Sequence, residues 1–321
     1  MSDFLDFAAD PVKALFIGDS GNGKTGALAS LVLQGYELRI IDTDKGVRIL
    51  RSLLLDSRYP YAKYVKEKEI NLNQAVKFLP IDTQMDLRNV PKKMPDGTTK
   101  FEQLLAPKDA KAWPKVLDAM NSWPDGEAKL PHVYKWTAKQ VLVIDTLSTL
   151  AQMVYYYAQS LESRLGANEA GYDFQRDVGV AQNQLRRFLE MLTNDAMPCN
   201  VLVLSHITRV DLTQGFSQSP EQRARNNAPV DAKGYPAAIG RALSPMMGKF
   251  FNDVYVAMQS GSGQAVRRKI VTVPTDNISA KNSAYVEKEY NITTGLAEIF
   301  CALRNEELDP SLVAIKKALG A

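Results

Sequence analysis

One segment of the chain has residue types and spacing suited to holding a phosphate. It is Gly18-Asp19-Ser20-Gly21-Asn22-Gly23-Lys24-Thr25, a complete GxxxxGK[ST] pattern. Glycines at this spacing let the backbone wrap so that several N–H groups converge on phosphate oxygens. A helix starting at the end of the loop adds the positive end of its dipole. Lys24 would then reach the β and γ phosphates, and the Thr25 hydroxyl would ligate magnesium. An apolar run precedes the pattern and TGALASLVLQ follows it, the strand-loop-helix context that a chance Gly-rich turn lacks.

Three further strand ends carry groups that can act on such a phosphate. Val141-Leu142-Val143-Ile144-Asp145 places a carboxylate at the end of an apolar strand, where it can hold magnesium through water. Thr146 follows it, not Glu, so the acid that orients a water must come from elsewhere. ELRIIDTDKG offers Asp42 and Asp44, with Asp44 better placed at the mouth. The alternative for both is capping a turn or pairing with Lys45. NVLVLSHI ends in Ser205-His206, where a polar side chain can bond the γ-phosphate and relay its loss to the next loop. The alternative for His206 is a structural histidine.

These groups need a scaffold, and the hydrophobic pattern supplies one. Short apolar runs at 13–19, 37–44, 76–82, 140–146 and 200–206 alternate with helix candidates at 24–34, 108–122 and 174–193. This predicts an α/β fold with a mostly parallel central sheet and flanking helices. Continuous rather than alternating hydrophobicity suits strands buried on both faces. In 174–193, Phe174, Val178, Ala181, Leu185, Phe188 and Leu192 share one helical face. Runs at 252–259 and 265–273, joined through Gly261 and Gly263, predict a C-terminal antiparallel hairpin. Helical patterns near 295–305 and 309–319 close the chain. Residues 85–107 read as a surface insertion and 207–240 as a long polar loop. The expected division is a core over 1–275 and a helical extension packed on it over 276–321.

Composition narrows the classes. A charged content of 23% against 45% hydrophobic residues excludes a disordered chain. A net charge of +3 excludes a uniformly basic nucleic-acid binder, so any such surface must be local. Residues 206–282 carry ten basic groups against five acidic ones, which places the excess in that region. Cys199 and Cys301 sit in apolar stretches and read as buried reduced thiols of a cytosolic-type compartment. Two histidines, His132 and His206, give no zinc site. The acidic start MSDFLDFAADP is not a signal peptide, and no run approaches the ~18 apolar residues of a membrane span. An intracellular, cytoplasmic protein is expected.

Taken in order, GDSGNGKT, IIDTD, VLVIDTLSTL, VLVLSHI and VRRKIVTVP resemble the RecA superfamily of P-loop ATPases over roughly residues 12–275. Within it the chain looks most like the compact phage and prophage ATPases that anneal or pair single-stranded DNA. The resemblance implies a RecA-like core that uses ATP and Mg2+, with Lys24, Asp44, Asp145 and His206 as catalytic groups and Thr25 and Asp145 as metal ligands. The family base is usually Glu and its sensor often Gln, so Asp44 and His206 are departures.

The resemblance also implies self-association into a ring or filament on single-stranded DNA, with a single-strand DNA-binding protein as a further partner and no membrane. Arg267, Arg268 and Lys269 would act across a subunit interface, the competing reading being solvated edge charges. Arg209, Arg223, Arg225 and Lys233 in the 207–240 loop would track a DNA backbone, against a solvated loop with no ligand. Tyr155, Tyr156 and Tyr157 stand where the family's first DNA loop begins, or pack within a helix. A helicase-loading or DNA-packaging ring ATPase and a nucleotide-dependent switch or scaffold with little turnover are the alternatives. A nucleotide kinase is disfavoured because no Arg-rich lid follows the phosphate loop.

Overall fold

The computed structural model describes residues 10–125, 128–161, 165, 174–211, 232–261, 266–275, 277–284 and 286–320. Its centre is an eight-stranded sheet. The strands, in chain order, are β1 (Lys13–Gly18), β2 (Glu37–Asp42), β3 (Val76–Pro80), β8 (Gln140–Asp145), β9 (Asn200–Ser205), β12 (Asp253–Ser260), β13 (Arg267–Val271) and β14 (Glu289–Asn291). Their spatial order is β14-β13-β12-β1-β9-β8-β2-β3. The six strands from β12 to β3 run parallel. β13 and β14 return antiparallel along one edge. This is a RecA-like arrangement, with β9 separating the phosphate-loop strand β1 from β8.

Alternation along the strands explains why their hydrophobic runs are unbroken. Leu15 and Ile17 of β1, Leu142 and Ile144 of β8, and Val201 and Val203 of β9 enter one core. Ala14 and Phe16, Val141 and Val143, and Leu202 and Leu204 enter the other. Each of the larger side chains contributes roughly 1.5–3 kcal/mol of burial. The first core is covered by α5 (Ala112–Asn121), α6 (Leu147–Ser160) and α7 (Phe174–Leu192). Trp113 and Phe188 meet there edge to face, with ring centroids 5.1 Å apart. The second is covered by α1 (Lys24–Leu33), α2 (Val47–Leu55), α3 (Pro60–Glu67), α9 (Gly295–Arg304) and α10 (Pro310–Ala318). Among the described residues no helix is long and apolar enough to cross a membrane.

The predicted strands and helices form within a residue or two of their expected bounds, except that 108–122 narrows to α5 and 265–273 to β13. On α7, Ala181, Leu185, Phe188 and Leu192 are buried, Val178 is half-buried, and the Phe174 side chain lies outside the described residues. Cys199 and Cys301 are buried free thiols, pushed up to about 11 and about 12 by burial. The 276–321 segment does more than pack on the core, since β14 extends the main sheet and α9 lies against α1.

Two segments differ from their sequence reading. Residues 85–107 are a regular antiparallel ribbon, β4 (Met85–Lys93) with β5 (Thr99–Pro107). Its turn uses Gly97 at φ 83°, with Met94 N–H donating to Thr98 O at 2.8 Å. Prolines and lysines hid it, because an exposed ribbon tolerates both. The described ends of 207–240 likewise form a ribbon, β10 (Ile207–Asp211) with β11 (Ala232–Pro236), rather than loop. A small ribbon of β6 (Trp123–Asp125) and β7 (Ala128–Leu130) precedes β8, a one-turn helix α4 (Leu72–Ala75) precedes β3, and α8 (Gly240–Leu243) follows β11.

Candidate nucleotide site

The C-terminal edge of the parallel sheet gathers the predicted groups by register alone. Ile17 pairs with Ser205, Leu204 with Asp145, and Asp145 with Asp42, so β1, β9, β8 and β2 end along one line. Ligands of open α/β sheets bind outside this edge.

The phosphate loop leaves β1 at Gly18, where an added Cβ would lie 2.8 Å from Ala257 O on β12. Gly21 and Gly23 adopt φ 82° and 90°, which side-chain-bearing residues rarely do. Asn22 Nδ2 donates to Ala257 O at 2.9 Å and pins the loop to the neighbouring strand. Lys24 Nζ donates to Gly18 O at 2.6 Å and Asp19 O at 3.0 Å. Burial lowers the Lys24 pKa, opposed by the charges of Asp145, Asp19 and Asp44.

Thr25 Oγ1 donates to Asp145 Oδ2 at 2.7 Å. Asp145 is pushed up to about 6, mainly by burial and by the neighbouring carboxylates of Asp42 and Asp44, while Thr25 and Lys24 oppose the shift. A buried carboxylate crowded by like charges and bonded to a threonine hydroxyl is what a hard cation relieves. No group of three or more His, Cys, Asp or Glu side chains able to hold a metal occurs among the described residues. The hard oxygen donors of Thr25 and Asp145 fit magnesium, which takes one or two protein ligands and completes its shell with phosphate and water oxygens. Gly46 is needed beside them, since a Cβ there would stand 2.7 Å from Asp145 Oδ2 and 3.0 Å from Thr25 Oγ1.

The two strand-end aspartates separate. Asp42 Oδ1 accepts from Gly46 N–H at 2.9 Å, capping the turn. Burial raises its pKa against backbone hydrogen bonds from Gly46, Val47 and Lys45. Lys45 pairs with Asp82 instead of either aspartate. Asp44 lines the cavity. Its Oδ2 lies 3.0 Å from both Thr146 Oγ1 and His206 Nε2, and its Oδ1 accepts from Thr149 Oγ1. Burial alone would raise its pKa, but the bonds from Thr149, His206 and Thr146 outweigh that and hold it below the ordinary carboxylate value. His206 N–H donates to Ser148 Oγ at 3.0 Å, tying the end of β9 to the start of α6. The hydroxyls of Thr146, Ser148 and Thr149 were visible only as a TLST run at a helix start. Nothing local said that they would meet Asp44 and His206.

These groups face one cavity of about 730 Å³, within the range of small-molecule sites. Lys24, Thr25, Asp44, Asp145 and His206 line its polar part, while Tyr59, Pro60, Ile292 and Leu319 wall the other. Arg268 also lines it, on the phosphate loop of its own chain, with Nε donating to Gly21 O at 2.9 Å. Arg267 is exposed, and Lys269 pairs with Glu289 across the β13–β14 edge.

The DNA-contact candidates are less gathered. Arg209 faces Gly234 and Lys233 faces Val210 on adjacent rungs, so the two basic side chains leave opposite faces of the ribbon. Arg223 and Arg225 lie outside the described residues. Tyr155, Tyr156 and Tyr157 are on α6 and half-buried, and Tyr155 and Tyr157 pack on the first core.

A GxxxxGK[ST] loop at the edge of a RecA-like sheet, facing a cavity with strand-end acids, makes this a candidate nucleotide site. No family model and no curated protein matches the chain. Among solved structures it is similar to a KaiC-like protein from the hyperthermophilic archaeon Pyrococcus horikoshii OT3, with 11% identity, a TM-score of 0.36 and coverage of 88% of this chain and 85% of that chain. It is also similar to the flagellar accessory protein FlaH from Methanocaldococcus jannaschii, with 11% identity, a TM-score of 0.36 and 90% of each chain covered. The strand order β14-β13-β12-β1-β9-β8-β2-β3 of this chain by itself gives the fold.

Proposed function

We propose that the protein is a magnesium-dependent ATPase that assembles as a ring or filament on single-stranded DNA and serves annealing or recombination. The observation that carries the hydrolytic part is the placement of Asp44 in the same cavity as Lys24, Thr25 and Asp145. The triphosphate lies along the loop N–H groups, with its base and sugar against Tyr59, Pro60, Ile292 and Leu319. Thr25 and Asp145 hold magnesium, which when bound neutralises charge on the β and γ phosphates. Asp44, ionised through its hydrogen bonds, orients the attacking water. Lys24 stabilises the charge that develops on the transferred phosphoryl group.

The DNA part is supported by the sequence resemblance and by the route from His206 into β10. His206 bonds Asp44 at one end of this route, and Ile207 begins the ribbon at the other. Loss of the γ-phosphate is thereby communicated to the 207–240 segment. The test is ATP turnover with and without single-stranded and duplex DNA over a salt series. Stimulation by single strands that fades with salt supports the reading; no binding and no stimulation sinks it.

A second reading, a nucleotide-dependent switch that docks a protein, is favoured by one observation. Leu87 and Leu105 pair directly across the β4–β5 ribbon and are 62% and 67% exposed, with Phe101 at 68% four rungs away. Slow turnover unaffected by any nucleic acid would favour it.

A further inference from the structure

We infer that Arg268 binds the phosphates of the nucleotide held by its own chain, as a second cation beside Lys24, and is not a residue lent to a neighbouring subunit. The inference rests on the nucleotide reading above and changes the expected direction of this contact.

Strand register puts Arg268 there. β1 and β12 pair until Gly18 meets Ala257, after which β1 ends in the phosphate loop. β12 continues, and its last residues Met258, Gln259 and Ser260 pair with Lys269, Arg268 and Arg267. The start of β13 therefore overhangs the loop of the same chain. Side chains alternate along a strand, so Arg268 faces opposite to Arg267 and Lys269. Lys269 is taken up by Glu289. The backbone of Arg268 is fixed on its other side by Ile292 N–H donating to its carbonyl at 3.2 Å.

The side chain is accommodated as well as placed. A Cβ on Gly23 would lie 3.2 Å from Arg268 Cδ and 3.3 Å from Ile292 Cγ1, so a glycine there leaves room for the arginine stem. The single bond to Gly21 O uses Nε. Among the described residues no carboxylate pairs with the guanidinium, and its two terminal nitrogens have no acceptor. Arg268 lines the same cavity as Lys24 and Thr25. A planar pair of N–H donors suits two oxygens of a phosphate.

The test compares wild type, Arg268→Ala, Arg268→Lys and Lys24→Ala by binding of a fluorescent non-hydrolysable ATP analogue and by phosphate release. Binding is measured at several protein concentrations, with assembly followed by light scattering. Arg268→Ala should weaken the analogue roughly tenfold, as loss of a charged hydrogen-bond pair does, and Arg268→Lys should recover part of it. The ratio should be the same in dilute and in assembled protein. Equal mixtures of Arg268→Ala and Lys24→Ala should turn over no faster than the mean of the two. An affinity loss confined to assembled protein, or a mixture well above that mean, assigns the arginine to a neighbour and overturns the inference. So does an Arg268→Ala protein that binds and turns over as wild type. A wild type that binds no analogue would instead remove the nucleotide reading itself.

Discussion

The two halves of the site are held by different means. The phosphate-loop half, from Gly18 to Thr25, takes its shape mainly from local features, two glycines with positive φ, a lysine bonded to loop carbonyls and a helix that starts at once, with Asn22 and Arg268 adding ties to β12 and β13. The acid half is fixed by side chains brought together from far apart in sequence. Asp44 is bonded to Thr146, Thr149 and His206, residues 102, 105 and 162 positions away. Local geometry can be encoded by local sequence, whereas a contact across three strands depends on register along the whole sheet. The first half should lose both binding and turnover when its cation is removed, and the second should lose turnover in graded steps.

The largest effect is expected at Lys24. Lys24→Ala should reduce phosphate release roughly 10²–10³-fold, the scale for losing one preorganised donor to developing charge. Asp44→Asn should cost about 10²-fold in turnover while analogue binding changes little. Equal losses of binding and turnover would place Asp44 with the phosphate loop and break the division. Asp42→Asn, on the turn outside the cavity, should leave turnover close to wild type.

Asp145 sharpens the comparison through stability. Its carboxyl is raised to about 6 in the fold from an ordinary 3.8. Between those values the folded chain binds more proton than the unfolded one, so metal-free stability falls as pH rises from about 4 to about 6. At neutral pH the ionised, buried carboxylate costs on the order of 3 kcal/mol. Asp145→Asn should therefore raise the melting temperature of the metal-free protein at pH 7 by several degrees and flatten its acid pH dependence. It should also abolish magnesium-dependent turnover. A lower melting temperature in calorimetry would show that the carboxylate is better compensated than its surroundings imply.

Among the groups that line the cavity, the smallest effect is expected at His206. It and Asp44 are part exposed, at 34% and 25% of their side chains, so solvent screens their bond. His206→Ala should lower turnover only about tenfold, one lost hydrogen bond to a charged group. Its larger effect should be on DNA stimulation, read as the ratio of rates with and without single strands.

Much of the fold was legible for a physical reason. Parallel strands buried on both faces must be apolar throughout, so β1, β2, β8 and β9 announce themselves as runs. The ribbons were not legible. β4–β5 and β10–β11 are exposed, and an exposed strand need not be apolar. The short helices α2 and α3 also escaped, because helices of nine and eight residues draw stability from packing rather than from pattern. In the site, Lys24, Thr25 and Asp145 were readable from motif and strand end, while Thr149 and the apolar wall at Tyr59, Ile292 and Leu319 were not.

By itself the sequence determined that a phosphate loop sits between a buried strand and a helix, because glycine spacing and helix start are local properties of the chain. It also determined that three other apolar strands end in polar groups. Only the tertiary structure decided which acid faces the cavity. Asp42 and Asp44 are two residues apart and alike in chemistry, and they differ only in what the sheet brings to each. The turn at Gly46 takes one, and Thr146, Thr149 and His206 take the other. Register likewise decided that Arg268 overhangs its own loop, since the length by which β12 outruns β1 is a property of the paired strands and of neither alone.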